Sequence, residues 1–261
     1  MLGFEARDLS LIFGFARNHL REKHIGSILG SSWSVLQPLL MLAVYTFVFG
    51  FVFKVKFPGA ETTFGYTVWL LSGFGPWMGF TEAVMASAVS ITSATGLIKN
   101  VAFKTEVLPI AAGLTGTLPI VVSLCFLGVL LVIDGNTPSW HVLLLPLVVV
   151  SQFLLVASVG IPLSAITVFF RDLTYALPNL LMIVLFMSPI FYPVESMPHV
   201  FQTVSAFNPI YILVEAYRSI LLYHQPPNLL GLGYVSILGI VLTALMLRMF
   251  RRVKGYFESV L

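Results

Sequence analysis

Residues 25–53 read IGSILGSSWSVLQPLLMLAVYTFVFGFVF and contain no aspartate, glutamate, lysine or arginine. A helix of about 20 apolar residues is long enough to cross the hydrocarbon core of a bilayer. The rest of the chain is similar, since 58% of all residues are hydrophobic, 10% are charged and the mean hydropathy is +0.96. A soluble domain would carry charge on about a quarter of its residues. The composition therefore predicts an integral membrane protein.

Long uncharged stretches recur along the chain and predict about six membrane-spanning helices. We expect these spans at about residues 33–53, within 62–98, at about 107–133, within 140–169, and at about 175–191 and 229–247. The second region is too long for one straight crossing, and Gly73, Gly75 and Pro76 predict a break or kink in it. Glu82 follows that point, and a carboxylate at membrane depth should face protein, water or a loop.

Basic residues cluster where six spans would bring them to one side of the membrane. These residues are Arg7, Arg17, Arg21, Lys23, Lys99, Lys104, Arg171, Arg248, Arg251, Arg252 and Lys254. The other side would receive Lys54, Lys56 and Arg218, beside several acidic residues. The positive-inside rule then predicts that both termini lie in the cytoplasm.

The chain is expected to form a single transmembrane domain over residues 1–261. Residues 4–24 predict an interface helix, because Leu9, Ile12, Phe13, Ala16 and Leu20 recur at helical spacing and should face lipid. Residues 33–250 would form the six-span bundle and residues 251–261 a cytoplasmic tail. Residues 192–228 are apolar but interrupted by prolines, which predicts short segments that re-enter the membrane from outside before the last helix.

Several functional classes lack their sequence signatures. There is no phosphate-binding G-x-x-x-x-G-K-[ST] loop, no G-x-S-x-G elbow and no H-E-x-x-H pair, so we expect neither a catalytic nor a metal site. The net charge of +3 is explained by topology and does not predict nucleic-acid binding. Because buried charges other than Glu82 are nearly absent, ion-coupled transport is poorly supported and the energy should come from elsewhere.

Short motifs follow one another in a familiar order along nearly the whole chain. They are Ile28-Leu29-Gly30-Ser31-Ser32-Trp33, Leu36-Gln37-Pro38, Ser72-Gly73-Phe74-Gly75-Pro76-Trp77, Phe169-Phe170-Arg171-Asp172, Ser188-Pro189-Ile190-Phe191-Tyr192 and Asn208-Pro209. This ordered set resembles the permease subunit of polysaccharide-exporting ABC transporters, the type-2 permease family, which exports O-antigen, teichoic acid and capsule.

The resemblance implies a homodimer in the inner membrane of a bacterium, paired with two copies of a separate ATPase. ATP and magnesium would then bind the partner ATPase, and this chain would carry no cofactor. The cargo would be a lipid-linked glycan that moves through a channel between the two permeases.

The resemblance also implies roles for individual residues. Tyr45, Phe49 and Phe53 recur every four residues on the first span, and their functional interpretation is a channel lining that stacks on sugar rings; the alternative is packing against helices or lipid. The other expected channel residues are Trp77, Phe191 and Tyr192. The expected ATPase-coupling residues are Lys99, Asn100, Phe103, Lys104, Glu106 and Arg171.

Three other functions remain as alternatives. A type-2 ABC exporter of a drug or another lipid would share the six spans. An intramembrane enzyme would need clustered polar catalytic groups, which the sequence lacks. A purely structural scaffold would not need the proline-rich segment before the last helix.

Overall fold

The computed structural model describes residues 5–23, 26–54, 62–133, 135 and 139–257. Within these ranges the protein is all-helical and contains no β-strand, as predicted. The α-helices are α1 Ala6–Glu22, α2 Trp33–Tyr45, α3 Thr63–Ser93, α4 Thr95–Asn100, α5 Val107–Gly113, α6 Thr117–Ile133, α7 Leu145–Phe169, α8 Leu173–Met187, α9 His199–Ser205, α10 Pro209–Leu221 and α11 Leu229–Val253. Some residues of the predictions above lie outside the described residues, namely Lys56 and residues 4, 24 and 258–261.

Some helices continue through tighter or wider turns. A π-helix follows α2, a 3-10 turn joins α5 to α6, another precedes α7, and a third follows α11. Four of the resulting helices in the described part of the chain are long and apolar enough to cross a membrane: Trp33–Val52, Val107–Ile133, Trp140–Phe169 and Leu229–Tyr256. They coincide with the first, third, fourth and sixth predicted spans.

Helix α3 is the centre of the molecule. It contacts α2, α5, α6, α7, α8 and α10, and it is buried along most of its length. Of the expected break or kink near Pro76, the break is wrong, because α3 continues as one helix to Ser93, and the kink stays a prediction. Proline removes one backbone hydrogen bond, but neighbouring helices can compensate inside a bundle. Beside the proline, the side-chain amide of Gln152 of α7 donates to the carbonyl of Pro76 at 2.8 Å and so ties α3 to α7.

Helix α8 is shorter than its predicted span. It ends at Met187 instead of Phe191, and its 15 residues extend only about 22 Å at 1.5 Å per residue. Residues 188–192 form a non-helical turn. The proline-rich region beyond it folds into the short helices α9 and α10. Asn208 begins α10, since its side-chain oxygen accepts the N–H of Ile210 at 2.9 Å.

The apolar face of α1 is divided between protein and the surface. Ile12 and Ala16 are buried, and Ile12 packs with Val107 of α5, whereas Leu9 and Phe13 stay more than half exposed. The expectation that the whole stripe faces lipid is therefore wrong. The reason is tertiary packing, because α5 covers one edge of the stripe.

The basic regions meet at one end of the bundle, which we call the basic end. It consists of α1, the connection between α3 and α5, and the ends of α7 and α11. Lys104 pairs with Asp8 of α1, Glu106 pairs with Arg251 and Lys254, and the ring of Phe257 contacts that of Phe169. The fold thus brings together the four basic clusters that the sequence analysis assigned to one side.

Candidate functional site

A cavity of about 780 Å³ lies between α1, α2, α3, α8 and the start of α6. Most of its wall is apolar, with Met78 and Met85 from α3, Pro38 from α2 and Leu181 and Leu185 from α8. The cavity extends from the basic end of the bundle towards the turn after α8. Its two ends differ in chemistry, and each is described below.

Four rings lie at the end of the cavity that is remote from α1. We call Tyr45, Phe49, Phe74 and Phe191 the aromatic cluster. The ring centroid of Phe191 lies 4.6 Å from Tyr45, 5.8 Å from Phe74 and 5.1 Å from Phe49, on which it stacks at an interplanar angle of 8°. Tyr45 and Phe74 line the cavity, and Phe191 is buried directly behind them.

The other predicted channel residues occupy different positions. Trp77 is buried and lines the cavity one turn from Phe74. Phe53 is 66% exposed, and its ring contacts Phe49 at the edge of the cluster. Tyr192 is half-buried, and its hydroxyl donates to the carbonyl of Phe186 at 2.7 Å. Trp77 therefore joins Tyr45 on the cavity wall, whereas Phe53 and Tyr192 lie beside it.

Charged side chains form the other end of the cavity, which we call the charged mouth. It consists of His19 and Lys23 of the α1 segment and Glu82 of α3. The ammonium group of Lys23 hydrogen-bonds to Glu82, and both side chains are partly exposed. The expectation that Glu82 faces protein or water agrees with this position.

The predicted coupling residues divide into two groups. Lys99 and Asn100, at the end of α4, are exposed, as is Arg171 between α7 and α8. Phe103 and Lys104 face α1 instead: the Phe103 ring lies 5.8 Å from that of Phe15, and the Lys104 ammonium donates to Asp8 at 2.6 Å.

Two carboxylates at the basic end are held in their charged form. The backbone N–H of Glu5 and the ammonium of Lys104 keep the pKa of Asp8 below its ordinary value. Glu106 is buried, which by itself would raise its pKa, but its backbone N–H and the cations of Lys254 and Arg251 outweigh burial and leave the pKa lowered. Glu106 therefore ties the connection before α5 to the end of α11.

Arg218 is a buried charged residue that sequence reasoning did not assign to the site. It was assigned to the external side of the membrane, within the proline-rich region, but it is only 1% exposed, on α10 beside α3. A signal was present, because Glu215 and Arg218 lie three residues apart on a helix that starts at an Asn-Pro pair. The hydroxyl of Tyr217 adds a second buried contact, donating to Gln152 of α7 at 2.9 Å.

Comparison with known proteins agrees with this architecture. Residues 15–222 match the ABC-2 type transporter family. The chain belongs to that family. It is 31% identical over 232 residues to the O-antigen export system permease protein RfbA of Myxococcus xanthus, which covers 87% of each chain. It is also 29% identical over 258 residues to RfbA of Klebsiella pneumoniae, covering 96% of this chain and 95% of that one.

A more distant relative extends the comparison to a second kind of polysaccharide. The chain is 26% identical over 251 residues to the polysialic acid transport protein KpsM of Escherichia coli, covering 95% of each chain. The family resemblance inferred from the ordered motifs is thereby confirmed. In the described part of the chain, the cavity and the basic end hold most of the residues that the sequence analysis singled out for function.

Proposed function

We propose that this chain is the membrane-spanning subunit of an ATP-driven exporter that moves a lipid-linked polysaccharide across the bacterial cytoplasmic membrane. The observation that carries this proposal is the cavity, which combines ring faces, apolar walls and a charged mouth. Aromatic faces stack on sugar rings, and apolar walls accept a lipid chain. The curated relatives that export O-antigen or polysialic acid support the same cargo class.

Two copies of the chain would enclose the export path, with two copies of a separate ATPase. Helices α2 and α8 flank the cavity, and their remaining faces are apolar and exposed, as at Val44 and Ile183. Exposed apolar faces of this kind meet lipid or another helix. A second copy placed against them would turn two half-open cavities into one path.

The proposed topology has six crossings with both termini in the cytoplasm. The crossings are α2, α3, the continuous α5–α6 helix, α7, α8 and α11, while α9 and α10 re-enter from outside. Single cysteines at Asn100, Ser196 and Gly255 test this arrangement with a membrane-impermeant thiol reagent. Only the cysteine at Ser196 should react from outside, and reaction at Asn100 would overturn the topology.

Contact with the ATPase is proposed at α4 and at Arg171, because these positions are exposed at the basic end. Lys99→Glu should reduce ATPase co-purification and glycan export together. Lys54→Glu is the matched control, because Lys54 is also an exposed lysine but lies beyond the other end of α2. Phe103→Asp is less selective, since Phe103 packs on α1. Normal co-purification and export by Lys99→Glu would place the contact elsewhere.

Filling the cavity tests the export path itself. Met78 lines the cavity, whereas Met249 is 54% exposed on the outer face of α11. Met78→Trp should abolish surface glycan in a deletion strain while leaving dimer and ATPase binding intact. Met249→Trp adds the same bulk on the outer face of α11 and should restore a normal amount of surface glycan to the deletion strain. Normal glycan from Met78→Trp would end the cavity proposal.

A type-2 ABC exporter of a drug or another lipid remains the alternative function. The same two variants separate the functions, because this alternative predicts normal surface glycan even in the deletion strain. Drug sensitivity of that strain, relieved by the wild-type chain and not by Met78→Trp, would favour the alternative.

A further inference from the structure

The turn after α8 contains buried backbone that no helix satisfies. Ile190 and Phe191 are 0% and 1% exposed, and they lie beyond the last residue of α8. Non-helical backbone inside a membrane protein is tolerated only where protein or water supplies its hydrogen bonds. The carbonyls of this turn therefore need donors from other elements.

Two side chains supply those donors. The guanidinium of Arg218 donates from Nη2 to the carbonyl of Ile190 at 2.8 Å and from Nη1 to that of Pro189 at 3.3 Å. The hydroxyl of Tyr66 donates to the carbonyl of Phe191 at 3.2 Å. Three successive carbonyls are thus bound by residues of α10 and α3. A planar guanidinium suits this task, because its fork presents several donors in fixed directions.

The charge of Arg218 is held by a built environment. Nη1 also donates to Glu215 at 2.9 Å, and the guanidinium carbon lies 3.5 Å from the centre of the Trp69 ring. Gly73 of α3 provides the space, because a Cβ there would lie 2.9 Å from Nη2. A cation stacked on a desolvated aromatic ring is stabilised by the ring electrons.

Stability alone does not explain a cation at this position. Buried ion pairs often add little to stability compared with apolar residues of the same volume. In addition, the Nε–H of Arg218 has no hydrogen-bond partner within the described residues. What Arg218 does determine is where the turn lies, and that turn carries Phe191.

We infer that Arg218 is a positioning residue that fixes the turn at residues 188–192 and thereby holds Phe191 in the aromatic cluster, closing the end of the cavity. Phe191 contacts both Tyr45 and Phe74, which line the cavity, so a path through this end requires Phe191 to move. The turn can move only when its carbonyls leave Arg218. This inference rests on the proposed export path through the cavity.

Thiol accessibility tests whether the aromatic cluster closes the cavity. The single cysteine is first replaced by Cys125→Ala, and Met78→Cys then places a thiol in the cavity. A separate variant carries Ser164→Cys instead of Met78→Cys. This thiol is a buried control, because Ser164 is fully buried on α7. A membrane-impermeant reagent is applied separately to each side of the membrane, with the ATPase present.

In the parent chain, the reagent should label the cavity thiol from one side of the membrane only. Arg218→Met should make this thiol reactive from the other side as well. The expected rise in labelling rate is about tenfold or more, which corresponds to the loss of one hydrogen bond from a charged donor. Arg218→Lys keeps the charge beside Glu215 but cannot span both carbonyls, so it should give a smaller rise. Tyr217→Phe is the matched control, because it removes a buried hydrogen bond that joins the same helix to α7. It should leave the labelling rate of the cavity thiol unchanged.

The buried thiol separates positioning from general unfolding. If Arg218 only stabilises the fold, Arg218→Met exposes the Ser164→Cys thiol as well, and the inference fails. If the cavity thiol stays shielded in both Arg218 variants, the inference also fails, whatever happens to export. If the cavity opens but Met78→Trp still exports glycan normally, the role of Arg218 in positioning the turn stands, but the proposed export path fails. Should Arg218→Met not assemble, Arg218→Lys carries the test.

Discussion

The basic end of the bundle and the aromatic cluster are held together in different ways. At the basic end, separate elements are joined by ion pairs whose lysine and arginine side chains remain 30% to 38% exposed. At the aromatic cluster, the contacts are stacked rings and a guanidinium that is 1% exposed. Breaking a partly hydrated ion pair costs little free energy, because water replaces the lost partner. Removing the partners of a buried cation costs several kcal/mol.

This difference matches two different tasks. The basic end should yield when an ATPase moves, because its cations can be re-solvated during the motion. The aromatic cluster should stay shut until a larger force displaces it. Glu106 is the exception at the basic end, since its carboxylate is 2% exposed while its two cations are not buried.

The largest effect should come from stripping Glu106 of both cations. Arg251→Met with Lys254→Met would leave a buried carboxylate without a compensating cation, which costs about 3 kcal/mol. Arg248→Met with Arg252→Met removes the same charge from exposed positions of α11 and should have little effect. Thermal unfolding of the two double variants in detergent measures the difference. Equal unfolding temperatures would show that Glu106 is not anchored by these residues.

A smaller effect is expected at the aromatic cluster. Phe49→Ala removes the ring stacked on Phe191, and the lost aromatic pair and partial burial together should cost about 2 kcal/mol. Export should fall as well, if the cluster contacts sugar. Phe47→Ala serves as the control, because Phe47 is 61% exposed on another face of the same helix. Surface glycan and cross-linked dimer are measured on both variants. Equal glycan from the two would remove Phe49 from the path.

How far the sequence predicted this structure depends on the kind of feature. The helix Val107–Ile133 was predicted close to its bounds, and the span within residues 140–169 was predicted where the helix Trp140–Phe169 lies. Crossing a membrane requires a long apolar run, which composition reveals directly. The meeting of the basic clusters at one end was also predictable, because it follows from the number of spans.

Features that depend on neighbouring helices were not predictable. Arg218 was assigned to the external side, since charge normally marks the surface. Its burial is explained by its partners, which are the carbonyls of the turn after α8, Glu215 and the Trp69 ring. Pro76 was expected to break or kink α3, but α3 continues through it as one helix inside the bundle. In the candidate site, the spacing of Tyr45 and Phe49 suggested a shared face, yet their partner Phe191 is distant in sequence.

The pH dependence of stability should reveal Glu106 again, with a smaller magnitude. Because its folded pKa is lowered, Glu106 stabilises the protein at pH values above the ordinary carboxylate pKa, and that contribution is lost as pH falls through the lowered folded pKa. Glu106→Gln should therefore be less stable than the parent at neutral pH, by about 1 kcal/mol or more, and the gap should close in acid. Unfolding temperatures measured across this range check the sign, which would be wrong if the gap widened in acid.

The smallest effect on stability is expected at the charged mouth. Lys23 and Glu82 are both partly exposed, so breaking their ion pair by Lys23→Glu should cost less than about 1 kcal/mol, apart from a small added repulsion.

Combining Lys23→Glu with Glu82→Lys restores a pair of opposite charges with the order reversed. If the pair only joins α1 to α3, the double variant should recover both assembly and export. If Lys23 also attracts an anionic part of the cargo to the cavity, the double variant should assemble normally but export poorly, because the cation now lies on α3. Dimer yield and surface glycan, measured on the two single variants and the double variant, separate these outcomes, and normal export by all three would show that the charged mouth plays no part in export.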